Sequence, residues 1–86
     1  MRSAALELSK RRIRVNAVSP GLVNTPMMHR MFEVLPEESR QTLVKMYSLG
    51  FGTIEDVASL ISFLLSDNSK WITGQNLIID GGYSIH

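Results

Sequence analysis

The run Ile13–Ser19, "IRVNAVS", passes straight into Pro20-Gly21 and a polar turn, and this constrains the fold more than any other feature. Ile13, Val15 and Ala17 alternate with Arg14 and Asn16, and Val18 then makes the second face apolar as well. The pattern predicts a strand buried over at least its second half. One other run can serve as its partner. Asn76 to Asp80, "NLIID", places Leu77, Ile78 and Ile79 in a row before Gly81-Gly82. Three successive apolar residues predict a strand buried on both faces, as in a parallel sheet. Between the two runs lies the strongest helix signal, Thr53 to Leu65, "TIEDVASLISFLL". Val57, Leu60, Ile61, Leu64 and Leu65 recur at helical spacing. Thr53 followed by Asp56 has the form of a capping box, with Asp in place of Glu. Two strands joined through a helix make a βαβ unit with a right-handed crossover.

The remaining segments fit around that unit. Ser3 to Arg12, "SAALELSKRR", is rich in helix formers, and Lys10, Arg11 and Arg12 are expected in its last turn, where positive charge suits the helix dipole. No N-cap residue precedes it, which fits a helix entered part-way. Met27 to Leu49 holds four of the five methionines and the turn signal "LPEES", and is expected to form one or two short helices around Pro36. Thr73-Gly74 marks a turn. The expected order is helix, strand, irregular helical segment, helix, strand, in one α/β domain covering residues 1–86.

Composition removes several classes of function. Nine basic against eight acidic residues give a formal charge of +1, without the basic excess a nucleic-acid binder needs. There is no cysteine, so no disulfide framework, thiolate metal site or thiol nucleophile can form. The apolar runs are far too short to cross a membrane, and the first residues lack the apolar stretch of a secretory signal. A cytoplasmic globular protein is the plain expectation, with 44% hydrophobic and 20% charged residues.

Ligands of open α/β sheets bind beyond the carboxyl ends of the strands, and "SPGLVNT" lies at that end of the first strand. Pro20 stiffens the exit, and Gly21 carries no side chain to block a close ligand. Thr25 offers a hydroxyl, and the amides of Leu22 to Asn24 are candidates for ligand contact.

The stretches "IRVNAVSPGLVNTPM" and "EDVASLISFLLSDNSKWITGQNLIIDGGY" together resemble the C-terminal part of the short-chain dehydrogenase/reductase family, of the 3-oxoacyl-acyl-carrier-protein reductase type. The resemblance covers essentially the whole chain. It rests on Asn16, Pro20-Gly21, Thr25, Glu55-Asp56-Val57-Ala58, Ile72-Thr73-Gly74 and Asp80-Gly81-Gly82 in family order. It implies a Rossmann-type doubly wound parallel sheet and, in the context of a complete enzyme only, hydride transfer between NAD or NADP and a small carbonyl or alcohol substrate. On the same basis Pro20 and Gly21 form the turn under the nicotinamide ring, and the Val23 backbone bonds its carboxamide. Thr25 bonds the carboxamide or the pyrophosphate. Residues of about 26–50 form the substrate lid, and the last helix and strand pack across the interface of a homo-oligomer.

Other parts of the family pattern are missing. The only G-x-G, Gly50-Phe51-Gly52, follows no strand and lacks a third glycine, so it is expected to be a turn before a helix. The family uses a Tyr, a Lys four residues later and an earlier Ser; Tyr47 is followed at that spacing by Phe51, and Tyr83 runs out of chain. No residue here is assigned a catalytic role, and whether the chain is an enzyme stays open. The expectation is a segment that begins after the catalytic residues and is inactive alone. The alternative is a non-catalytic module that docks on full-length relatives.

Several other residues carry two readings. Thr25 has the position of a helix cap before Pro26, a role compatible with ligand contact. Met27, Met28, Met31 and Met46 suit either an adaptable apolar pocket or lid packing. Glu37-Glu38 after Pro36 favour a helix N-terminus over a catalytic carboxylate pair. His29 and His86 show no spacing that would make them a pair with Asp80 or Glu33. "KRRIR" reads as solvated charge at a helix end, and Phe63 and Trp71 as core or interface.

Overall fold

The computed structural model describes all 86 residues. Helix α1 (Arg2–Ser9) leads to strand β1 (Ala17–Pro20); helices α2 (Pro26–Val34), α3 (Glu37–Met46) and α4 (Ile54–Leu65) follow, then strand β2 (Asn76–Ile79). Single 3-10 turns occupy Asp67–Ser69 and Tyr83–Ile85. The two strands pair in parallel, with Ala17 opposite Asn76 and Pro20 opposite Ile79. The expected α/β order and parallel sheet are present.

β1 is shorter than the apolar pattern implies. Ile13 to Asn16 stay outside the ladder because side chains take over its hydrogen bonds. The Val15 amide donates to Thr73 Oγ1 at 3.1 Å, and the Asn16 side chain donates to Ile72 O and accepts from the Gln75 amide. Asn16 thereby clamps the Ile72–Gln75 turn, and Gly74 N donates to Val15 O at 2.8 Å. Regular pairing begins only at Ala17.

Helix α1 ends at Ser9, whose hydroxyl turns back to the Leu6 carbonyl. Lys10 is therefore the cap, and Arg11 and Arg12 lie beyond it; none of the three falls in the last turn. Arg12 has φ 58°, the left-handed conformation that terminates a helix.

The capping box at α4 forms as the sequence indicates. Thr53 Oγ1 accepts from the Asp56 amide at 3.2 Å, and Asp56 Oδ2 accepts from the Thr53 amide at 2.8 Å. The other end of α4 is closed by Arg14. Its guanidinium donates to Leu64 O (2.9 Å), Ser66 O (3.2 Å), Ile72 O (3.4 Å) and Ser69 Oγ (3.0 Å). A cation among helix C-terminal carbonyls satisfies orphan acceptors and meets the negative end of the dipole. Ser69, 1% exposed, completes the knot.

The interior is thin. Ala5, Met28, Tyr47, Leu64 and Ser69 are the only buried residues. The radius of gyration is 16.1 Å, against about 12 Å for a compact domain of this length. Neither strand is buried on both faces: Ile78 is 58% exposed, and β1 is half-buried up to its exposed last residue. Two strands and a few short helices do not supply enough surface to cover both sides of a sheet. Trp71, 97% exposed, is not core.

Candidate functional site

The carboxyl end of β1 runs into a loop that three other segments hold in place. Gly21 continues the ladder by donating to Ile79 O at 3.0 Å. The absent side chain of Gly21 is explained by protein contacts. A Cβ there would lie 2.9 Å from both Asp80 Cβ and Tyr47 Cε1, which differs from the expectation that the space serves a ligand.

Val23 then forms an isolated parallel bridge with Gly52. Gly52 donates to Leu22 O at 3.0 Å, and Gly52 O accepts from the Asn24 amide at 2.8 Å. The G-x-G segment precedes α4, but the turn lies just before it at Ser48–Leu49, and Gly52 is the edge against which the loop lies. The Leu22 amide is occupied too, donating to the Tyr47 hydroxyl at 3.1 Å. Of the three amides expected to be available to a ligand, Leu22 and Asn24 are already used. Val23 is not. Its N–H and C=O have no partner in the chain. Because a trans peptide sets N–H and C=O on opposite sides, the Leu22 and Asn24 bonds to Gly52 turn both Val23 groups away from Gly52. A half-buried residue therefore presents one donor and one acceptor side by side.

Thr25 begins α2. Its Oγ1 accepts from the Met28 amide at 3.2 Å, and Pro26 occupies the first helical position. The capping role is real, and the hydroxyl proton stays free to donate. A cleft of about 400 Å³ opens beside the loop, lined among others by Leu22, Val23, Phe51, Val57 and Asp80. A groove of about 650 Å³ lies along α4 and contains none of the loop residues.

Tyr47 is the residue that sequence reasoning misses. It is 7% exposed. Its ring stacks on Tyr83 (4.9 Å between centroids) and meets Phe51 edge-on (5.2 Å), which in turn meets Phe32 (5.6 Å). Asp80 closes the far side of the turn, accepting from the amides of Gly82 (3.1 Å) and Ser84 (3.0 Å). The Ser84 hydroxyl, with these amides, holds its carboxyl below the usual aspartate value. Gly81 has φ 61°, and a Cβ there would sit 2.9 Å from Gly50 O, so only glycine fits this crossing.

The remaining candidates do not assemble into a site. His86 Nε2 lies 3.3 Å from Ser48 Oγ, but no hydrogen bond or ion pair joins it to Asp80. His29 is exposed. Glu37 and Glu38 occupy the first turn of α3, where Glu37 pairs with Arg40 at 2.6 Å. Of the methionines, Met28 is buried and Met27 and Met31 are exposed on α2. No three His, Asp or Glu side chains converge as a metal site. No helix is long and apolar enough to cross a membrane.

Residues 1–84 match the family model described as enoyl-(acyl carrier protein) reductase. The chain belongs to the short-chain dehydrogenase/reductase family. It is similar to 3-oxoacyl-acyl-carrier-protein reductases and covers a C-terminal segment of the family fold. It is 51% identical over 82 residues to the 3-oxoacyl-[acyl-carrier-protein] reductase FabG of Thermotoga maritima, covering 94% of this chain and 32% of the relative. It is 36% identical to cyclohexanol dehydrogenase of Acinetobacter, over 96% of this chain and 31% of that enzyme. The chain thus spans about a third of the length of the curated relatives it matches. Among solved structures, a short-chain type dehydrogenase/reductase from Mycobacterium ulcerans superposes with a TM-score of 0.85 at 34% identity, over 100% of this chain and 31% of that one. A 4-hydroxyisoleucine dehydrogenase complexed with NADH gives 0.82 at 32% identity, over 99% of this chain and 35% of that one. These short-chain dehydrogenase/reductase neighbours place the two-stranded unit within a Rossmann-type fold.

Proposed function

We propose that this chain is the nicotinamide-side part of an NAD- or NADP-dependent short-chain oxidoreductase that interconverts a small carbonyl and alcohol. The observation that carries the reading is Val23. A carboxamide has one carbonyl acceptor and an NH2 donor, and Val23 offers the complementary N–H and C=O, both unpaired and both turned away from Gly52. Pro20 and Gly21 set the turn beneath the ring. Thr25 keeps a proton to donate to the carboxamide or the pyrophosphate while its oxygen caps α2. The cofactor, when bound, supplies the hydride chemistry. The chain's own residues bind, orient and exclude water; none of them is a general acid for the transfer.

Helices α2 and α3 form the lid over the substrate. The exposed Met27 and Met31 on α2 favour a nonpolar or acyl substrate, in keeping with the 3-oxoacyl-acyl-carrier-protein reductase likeness. α4 and β2 contribute to a homo-oligomer interface in the complete enzyme. The 86 residues alone are inactive on this reading.

The test is a titration of the 15N-labelled chain with NADH and with its 3-acetylpyridine analogue, whose acetyl group lacks the N–H. NADH is expected to shift the Val23 and Thr25 amide resonances, and the analogue to bind more weakly by roughly two- to tenfold, the loss of one hydrogen bond. Equal affinity for the two, or no shift at Val23, would refute the assignment.

A second reading has its own observation. β1 has a free outer edge in a sheet of two strands, and Trp71 is almost fully exposed. Both suit a non-catalytic module that docks on full-length relatives. Co-elution of the purified chain with a purified longer relative would support it; separate elution would remove it.

A further inference from the structure

We infer that Tyr47 is a positioning residue that latches the Pro20–Thr25 loop to the end of the lid through its phenolic oxygen. The inference rests on the nicotinamide-side reading of that loop and adds a residue to it.

The geometry has three parts. First, the Tyr47 hydroxyl is the acceptor for the Leu22 amide, at 3.1 Å. The adjoining Leu22 carbonyl is held by the Gly52 amide at 3.0 Å. Both peptide planes flanking Leu22 are therefore fixed, one by Tyr47 and one by Gly52. The second of those planes carries the Val23 N–H, so its direction depends on the pair of bonds together.

Second, Tyr47 cannot move alone. It caps α3, its ring stacks on Tyr83, and it meets Phe51, which meets Phe32 of α2. The end of α3 and the turn after β2 thus meet at one ring, and α2 reaches it through Phe51. Third, the ring fills the space beside Gly21, where Cε1 would lie 2.9 Å from an added Cβ. The fit places the oxygen opposite Leu22 and leaves the ring no room to slide towards β1. A shift of α3 then displaces the acceptor of the Leu22 amide, and the loop and the lid move as one unit.

Tyr47→Phe removes the oxygen and keeps the ring, its stack on Tyr83 and its edge contact with Phe51. The measurement is amide hydrogen exchange of the full chain, residue by residue, in wild type, Tyr47→Phe and Tyr83→Phe, without cofactor. Tyr83→Phe controls for loss of a phenol that bonds no loop amide. The latch predicts that Leu22 exchange accelerates roughly two- to tenfold in Tyr47→Phe, while Gly21 and Gly52 amides and the Tyr83→Phe chain change little. Unchanged Leu22 exchange, or equal acceleration of all amides, would overturn it. So would a wild-type Leu22 amide that exchanges at the rate of an unfolded chain. A second arm adds NADH. If Leu22 exchange responds as predicted and NADH shifts no Val23 resonance, the latch stands and the cofactor assignment falls.

Discussion

Replacing Gly21 by alanine tests the packing of the loop at its tightest point. The added Cβ would lie 2.9 Å from Asp80 Cβ, 2.9 Å from Tyr47 Cε1 and 3.0 Å from Asp80 Cα, where carbon atoms prefer about 3.5–4.0 Å. Neither neighbour has an easy retreat. Asp80 follows directly on Ile79, whose carbonyl accepts from Gly21 itself, and its own carbonyl accepts from Tyr83. The Tyr47 ring is held between Tyr83 and Phe51. Overpacking against fixed neighbours costs about 1–3 kcal/mol, which in a chain of this size lowers Tm by roughly 5–20 °C. Far-UV circular dichroism is the suitable probe, since the one tryptophan, Trp71, is 97% exposed and its emission reports little of the fold. Gly52→Ala is the control: its Cβ would meet Asp56 Oδ2 at 3.7 Å, an ordinary contact. If Gly21→Ala and Gly52→Ala melt together, the close approach of Asp80 and Tyr47 is not what requires glycine here.

Arg14→Met is expected to lower stability by about 2–3 kcal/mol, because it leaves the Leu64 and Ser66 carbonyls without their charged donor; urea midpoints measure it, and Arg14→Lys should restore only part. Asp56→Ala opens the capping box and should cost about 0.5–2 kcal/mol, with the loss visible as faster exchange of amides in the first turn of α4. For Asp80 the folded carboxyl titrates lower than the unfolded one. Its contribution is present above the unfolded pKa and is lost as pH falls through the folded value. The difference in urea midpoint between wild type and Asp80→Asn should therefore shrink between about pH 7 and about pH 3; a difference that grows on acidification would contradict the assignment.

Much of the fold is legible in the residues. The periodicity of Val57 to Leu65 and the Thr53–Asp56 pair each act through neighbours a few positions away, and each has its expected form. Two of the misses share one cause, which is that the deciding partner is remote in sequence. Ile13 to Asn16 have the alternation of a strand, but Thr73 and Gln75 capture their hydrogen bonds. Arg14 stands among basic residues and looks like solvated charge; its acceptors arrive 50 to 58 residues later. The burial of both strands is over-read for another reason. A run such as Leu77, Ile78 and Ile79 records which faces are apolar, and the elements of this chain cover only part of them. In the loop, Pro20 and Thr25 are legible as a stiff exit and a cap. That Val23, of the Leu22 to Asn24 amides, is the one left free depends on Gly52 and Tyr47, which no local pattern brings together.

The pairing of β1 with β2 also bears on how the chain is made. Asn16 and Gln75, whose contact opens the ladder, are 59 residues apart. Contacts of such separation form slowly, because most of the chain must be ordered before they repay the closure. On the ribosome, β1 waits through the synthesis of three helices before β2 follows it. Until Asn76 to Ile79 have cleared the exit tunnel β1 lacks this partner, and an apolar strand with an open edge is a target for holding chaperones. Premature termination between β1 and Asn76 would leave that edge uncovered, and capture or degradation is the expected fate of such a chain.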